Sequence, residues 1–537
     1  MSDSNIYPIL PCVSLPQGGA GEVGNKAWNL MRMAAAGVAV PAAFVLPVSW
    51  CRRYRSGHFD DQGLNAALAS GIALLETASG LRFGCARRPL LVSVRSGAAT
   101  SMPGMMETVL DVGLNSESVE GLIRLTGNPR LAWDCYRRLI QGYAEVVLEQ
   151  PPGPWNELVL QALSRADLET ERELDFRTLR ELAHAMLARL HEGATIRFPQ
   201  DPHEQLAQAV IAVFRSWDAP KAVAYRKLNG ISDDAGTAVT VQRMAFGNAG
   251  GASGSGIGFT RNPSTGEHEL YIDFLFNAQG EDVVSGRHIA CDQERLRRLL
   301  PATWKQLAST AHTLEGLFRD AQDFEFTVES GALYLLQARN AKRTPWAALR
   351  VATDLVEEGL VSPSEALARL DGIDLERVAR TRLAKPAGQP LARAEIAGIG
   401  VASGAIALDS GAAKRLAQAG TACILVRQDT STSDIEGMAA AAGLLTALGG
   451  RTSHAAVVAR QLGKVCLVGC TDLAIDLDHR VCRIGGCTLR EGDCLSLDAN
   501  EGAIYPGQLE TVTQRPEREL AAIRSWQSAA RAEASAR

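Results

Sequence analysis

Between residues 422 and 469 the chain alternates without a break: strand-like ACILVR, helical SDIEGMAAAA, strand-like GLLTAL, helical SHAAVVARQLG, strand-like KVCLVG. Short apolar runs that trade places with helix-length segments predict an α/β unit, here spanning about residues 396–510. Within the alternating run a single histidine, His454, stands where Gly449 and Gly450 give way to the second helical run. The glycines permit a tight strand-to-helix turn, and Thr452 or Ser453 can cap the first turn. His454 is therefore expected at the mouth of a helix, beside free backbone N–H groups and the positive end of the helix dipole. That setting disfavours the imidazolium, keeps the ring nucleophilic near neutrality, and stabilises a phosphoryl group once attached. The position alone also fits a capping or packing histidine.

Upstream, the pattern divides into further blocks. Residues 1–110 mix helix-periodic NKAWNLMRMAAAGV with strand-like AAFVLPV and RPLLVSVRSGAA. Residues 131–215 are mostly helical, and strands return over 237–285 around the glycine-rich FGNAGGASGSGIGFTRNPSTG. The run QDFEFTVESGALYLLQARN reads as two strands joined by a Ser-Gly turn. Folding it about Gly331 sets Glu325 opposite Gln337 and Asp323 opposite Arg339, all on one face because strand side chains alternate. Two carboxylates, an amide oxygen and a guanidinium on one surface suit a Mg-triphosphate, and equally a solvated cross-strand salt bridge. A helical connector follows, then RTRLAKPAGQPLARAE (380–395), with the proline and charge content of an exposed linker. The tail after residue 512 reads as one polar helix that frays.

Composition narrows the class. With 537 residues the chain exceeds a single core, and a net charge of -5 leaves no basic patch of the kind nucleic acid needs. MAAAGVAVPAAFVLPVSW is broken by prolines and reads as helix end, turn and buried strand, so no membrane span and no signal peptide are expected. The default is a cytoplasmic enzyme. The eleven cysteines form no CxxC pair, and the cluster Cys466, Cys470, Cys482, Cys487 and Cys494 reads as buried thiols rather than a zinc site.

Long strings carry a resemblance. GGRTSHAAVVARQLGKVCLVGC resembles the phosphohistidine signature of the pyruvate phosphate dikinase and phosphoenolpyruvate synthase family. LLVSVRSGAATSMPGMMETVLDVGLN, GTAVTVQRMAFGN, GFTRNPSTGE, NAQGEDVVSG and QDFEFTVESGALYLLQARNAKRT extend it over about residues 18 to 512. SMPGMM is similar to the phosphate-dependent dikinase branch. The resemblance implies an α/β multidomain fold. An ATP-grasp-like nucleotide-binding domain occupies 1–340, with a helical subdomain at about 131–217. A helical connector and linker (341–387), an α/β phosphohistidine swivelling domain (388–512) and a C-terminal helix (513–537) follow.

It further implies that His454 is the phosphoryl carrier. Lys26, Arg95, Gln242, Asp273, Glu281, Asp323, Glu325, Gln337 and Arg339 would contact nucleotide, with Lys26, Arg95 and Arg339 catalytic. Glu325 and Gln337 would hold Mg²⁺, and Arg137, Arg451, Thr452 and Ser453 would meet phosphate groups. The glycine-rich loop 247–258 and the loop SMPGMMETV (101–109) would lie by the phosphates. The expected reaction uses ATP and inorganic phosphate, releases AMP and pyrophosphate, and passes the phosphoryl group from His454 to pyruvate or another small molecule.

The likeness has gaps. The family's C-terminal pyruvate/phosphoenolpyruvate-binding barrel has no counterpart in the sequence, so a short form is expected and a separate acceptor-binding protein is one route onward. Leu448 stands where dikinases usually have Arg, and Arg451 where they have Met. Asn25 replaces a glycine, and 164–179 lacks a family lysine. Two alternatives stay open: an AMP-forming kinase of alcohols or antibiotics that uses water, and a non-catalytic ATP-binding regulator.

Overall fold

The computed structural model describes residues 6–535, apart from 12, 101, 103–105, 192–196, 285–292, 432–433 and 452. Two compact units divide the chain: residues 1–254 with 327–338, and residues 255–326 with 339–537.

The first unit is built on a five-stranded sheet in the order Tyr7–Ile9, Ala43–Leu46, Ala238–Arg243, Val92–Gly97, Thr108–Val112, every neighbour antiparallel. Ala43–Leu46 is buried at every residue, as the apolar run preceding Pro47 predicts. Helices from Pro129–Val146 to Pro202–Ser216 supply the helical block, and Leu131, Tyr136, Tyr143, Val210 and Phe214 join Val92 and Val94 in one core. Asn128 caps the first of these helices with its side chain, and Pro129 takes the first helical position, where a missing N–H costs nothing.

In the second unit the strands Val401–Ala407, Cys423–Arg427, Gly443–Thr446 and Val465–Val468 run parallel. Helices Ser410–Gln418, Ile435–Ala440 and His454–Leu462 make the crossovers. Antiparallel Cys494–Asp498, Ala503–Pro506 and Ala392–Arg393 extend one side of this sheet, and Glu395–Ile396 closes the other. The alternation expected from the sequence is thus present element by element. Cys466, Cys470 and Cys482 are buried, and burial pushes their thiols up to about 12, 11 and 11. Among the described residues no group of three or more His, Cys, Asp or Glu is placed to hold a metal, and no helix is long and apolar enough to cross a membrane.

Gly254–Phe259 and Tyr271–Phe276 belong to a four-stranded sheet with the hairpin Gln322–Glu329 and Ala332–Asn340. Ser330 and Gly331 both have positive φ (50° and 85°), the signature of a two-residue turn whose twist matches the strands.

Three expectations need correction. The glycine-rich stretch is a loop only as far as residue 253, since 254–259 is a buried strand. Its glycines serve packing: a Cβ on Gly258 would lie 2.3 Å from the Phe324 ring, and one on Gly256 2.5 Å from Phe326. The linker is not wholly exposed coil, because Arg380–Leu383 pairs antiparallel with Thr511–Gln514, so the chain enters and leaves the parallel-sheet region as one ribbon. The tail helix Glu517–Ser535 does not begin as a frayed polar rod: Leu520 and Ile523 are fully buried, and Arg518 pairs with Glu357.

Candidate active site

His454 is the first residue of its helix, and Ser453 is the N-cap, its hydroxyl accepting from the Ala456 N–H. The Ser453 side chain is buried, so capping rather than solvent contact occupies it. The turn before it follows the carboxyl end of Gly443–Thr446, and the segment holding Thr430 follows the carboxyl end of the adjacent Cys423–Arg427. Parallel strands place such loops side by side. Leu448 N–H donates to the Gln428 carbonyl at 2.9 Å, stitching the two loops together. The Thr430 hydroxyl consequently lies 3.3 Å from His454 Nδ1. His454 is half-buried, and burial lowers its pKa from 6.5 against the raising effect of Asp429 and Asp434. Burial thus acts in the same direction as the helix dipole expected from the sequence.

Arg451 turns away to other partners. Its Nε donates to Glu395, and its guanidinium carbon lies 4.5 Å from the centre of the Tyr271 ring. Thr452 falls outside the described residues.

In the first unit, Lys26 sits in the first turn of helix Asn25–Ala35. The turn before it is tight: Gly24 has φ +78°, and a Cβ there would fall 1.9 Å from the Gly97 carbonyl oxygen. Asn25 N–H donates to Ala98 O at 3.0 Å. The close approach therefore falls on Gly24, which leaves position 25 open to asparagine. The same contact pins Lys26 to the end of Val92–Gly97, the strand carrying Arg95. Arg95 Nη1 donates to the Leu336 carbonyl at 3.2 Å, which brings it to the strand residue before Gln337. Gln242 is buried, and its amide donates to Pro41 O at 3.1 Å.

Arg137 is buried among anions: Asp134 and Glu171 each lie 2.8 Å from Nη2. Burial alone would raise the Asp134 pKa, but Arg138 and Arg137 hold it well below the usual carboxylate range. Arg137 is therefore already compensated, and a phosphate there has Glu171 to displace.

In the second unit, Arg339 Nε donates to Asp323 Oδ2 at 2.8 Å, the pairing expected from the hairpin. Burial raises the Asp323 pKa in spite of Arg339, while Asp323 and Glu325 outweigh burial to raise that of Arg339. Phe324 and Phe326 are buried against Gly258 and Gly256, so alternation turns Asp323 and Glu325 to the opposite face. Asp273 is buried, whereas Glu281 is exposed in the short helix Gly280–Val284. Glu325 and Gln337, expected from the resemblance to hold Mg²⁺, each carry a hard oxygen donor of the kind that ion accepts beside phosphates.

Thr430, Tyr271, Glu395 and Arg460 were not singled out from sequence. Only Arg460 left a signal there: a charged residue on the apolar face of HAAVVARQL, and it is 1% exposed.

Residues 56–294 and 288–359 match the family described as pyruvate phosphate dikinase, AMP/ATP-binding domain, and 420–502 match the PEP-utilising enzyme, mobile domain. Pyruvate, phosphate dikinase of Clostridium symbiosum is 44% identical over 494 residues, 91% of this chain and 56% of that protein. The Rhizobium meliloti protein of the same name is 40% identical over 528 residues, 95% and 58% of the two chains. That of Giardia intestinalis is 41% identical over 512 residues, 94% and 58%. The chain spans about half the length of the curated relatives it matches.

Proposed function

Because the chain belongs to the pyruvate phosphate dikinase family, we propose that it is an AMP-forming phosphotransferase that carries a phosphoryl group on His454. The observation that carries this reading is the placement of His454: first residue of a capped helix, ring held neutral by burial, Nδ1 facing a hydroxyl. With the Nδ1 proton directed at Thr430 Oγ1, Nε2 keeps its lone pair for attack. Nε2 bonds to the β-phosphorus of ATP as the bond from that phosphorus to the AMP oxygen breaks. An oxygen of inorganic phosphate then takes the terminal phosphoryl group, releasing pyrophosphate and leaving one phosphoryl group on Nε2. Free N–H groups of the first helical turn stabilise its charge.

Lys26, Arg95 and Arg339 supply positive charge to the triphosphate, and Gln242, Asp273, Glu281 and Asp323 make the remaining nucleotide contacts. Glu325 and Gln337 would hold Mg²⁺, which when bound offsets phosphate charge. The 388–512 domain then swings on the ribbon formed by Arg380–Leu383 and Thr511–Gln514. The acceptor is a small molecule, pyruvate by kinship, bound by another part of the protein or by a separate polypeptide.

Labelled ATP tests the reading. Label in the β-phosphate should remain on the protein after phosphate is added, and label in the γ-phosphate should appear in pyrophosphate. Retention of γ-label on the protein would rule out this order of transfer. AMP release independent of phosphate would assign the terminal phosphoryl to water.

A further inference from the structure

Arg451 is the departure from the dikinase pattern nearest the nucleophile, and its side chain is spent on a contact that crosses from one part of the second unit to another. Tyr271 belongs to the Tyr271–Phe276 strand, while Arg451, Glu395 and Ile396 belong to the phosphohistidine domain. The guanidinium of Arg451 covers the Tyr271 ring and pairs with Glu395. The Tyr271 hydroxyl donates to Ile396 O at 2.9 Å. Beneath them Arg460 donates to the carbonyls of Arg451 (2.8 Å) and Ala397 (3.4 Å) and lies over Phe259. The backbone of the Arg451 turn is thus fixed from below, and its side chain alone is at liberty to change partner.

We propose that Arg451 is a phosphorylation-sensitive docking residue: bound to Tyr271 and Glu395 it holds the histidine domain on the Tyr271 strand, and phosphorylation of His454 draws it away and undocks the domain. The inference rests on His454 being the phosphoryl carrier. A phosphoryl group brings up to twice the negative charge of the Glu395 carboxylate and three strong acceptors, and Arg451 enters the same turn from which His454 emerges. A guanidinium favours such a partner, because charge-assisted pairs strengthen with the acceptor's charge and with bidentate geometry. Once it leaves, Tyr271 loses its cation–π partner and the contact rests on the Ile396 hydrogen bond, the Ser264 hydroxyl donating to Ala397 O at 3.3 Å, and the Arg460 layer. A device of this kind gives direction to the cycle: the empty histidine domain is retained where it is charged, and the loaded one is released.

Hydrogen exchange on the full chain reads the contact, with intact mass run in parallel to read the adduct. Amides 271–273 and 395–397, each also held by strand pairing in its own part, report docking through the protection added on top of that pairing, and amides 424–426 and 444–445 in the parallel sheet report folding. Phosphorylated wild type should exchange about tenfold faster at the docking amides, with the sheet amides unchanged. Arg451→Met should show that faster exchange before phosphorylation and gain little from it. Tyr271→Phe, which keeps the ring, should stay phosphorylation-sensitive from a weaker starting protection. An adduct that leaves docking protection unchanged overturns the proposal while sparing the phosphohistidine reading. So does Arg451→Met protected like wild type. Absence of any adduct in wild type overturns the phosphohistidine reading and the trigger with it; the Arg451→Met comparison still judges whether the contact docks the domain.

Discussion

The hydroxyl of Thr430 and Nδ1 of His454 stand 3.3 Å apart across the carboxyl ends of two adjacent parallel strands. The pair sets which ring nitrogen is left to react, so Thr430→Val should slow formation of the phosphoenzyme roughly three- to tenfold, the worth of about 1 kcal/mol of hydrogen bonding. Thr430→Ser should restore most of the rate. Single-turnover quench with mass detection measures it, and an unchanged rate in Thr430→Val would remove Thr430 from the mechanism.

The depressed pKa of His454 sets the pH dependence. Burial makes protonation harder in the folded chain than in free histidine, so the neutral, reactive ring persists below 6.5. The fall in phosphoenzyme formation with acid should therefore have its inflection below 6.5. An inflection above 6.5 that disappears in Thr430→Val would contradict this assignment.

Gly258 tests the reassignment of the glycine-rich stretch. A methyl group there meets the Phe324 ring at 2.3 Å, so Gly258→Ala should cost about 1–3 kcal/mol in denaturant unfolding. Gly251, with open space around its Cβ position, should tolerate alanine at almost no cost. Equal tolerance at both positions would mean the stretch behaves as a loop throughout.

Asp134 concerns stability. Its carboxylate faces Arg137 with both side chains 4% exposed, so Asp134→Asn leaves a buried guanidinium with less compensation and should cost about 3–5 kcal/mol at neutral pH. The Asp134 pKa is depressed in the folded chain, so the stabilisation is complete above the ordinary value of 3.8 and shrinks as pH falls beneath it. Urea unfolding at pH 7 and at pH 3 should show the gap between wild type and variant narrowing in acid; a gap that widens there would reverse the sign.

The parallel-sheet elements could be read before any coordinates because period and length both changed at each boundary, and the Ser330–Gly331 turn because few residue pairs accept two positive φ values. Asp323 and Arg339 met for the same local reason. What escaped the sequence was non-local. Gly256 and Gly258 look like loop residues until Phe324 and Phe326, far along the chain, are seen filling the space their missing side chains leave. Arg380–Leu383 looks like linker because its partner strand, Thr511–Gln514, lies far along the chain. Thr430 and Tyr271 carry no local signal, since what distinguishes each is the side chain it meets.

The most direct measurement is the intact mass of the chain after ATP, Mg²⁺ and inorganic phosphate, wild type beside His454→Ala. One phosphoryl adduct on wild type and none on the variant, with AMP formed only by wild type, is the result this account predicts. An adduct that survives His454→Ala, or ATP binding in wild type without adduct or AMP, would contradict it.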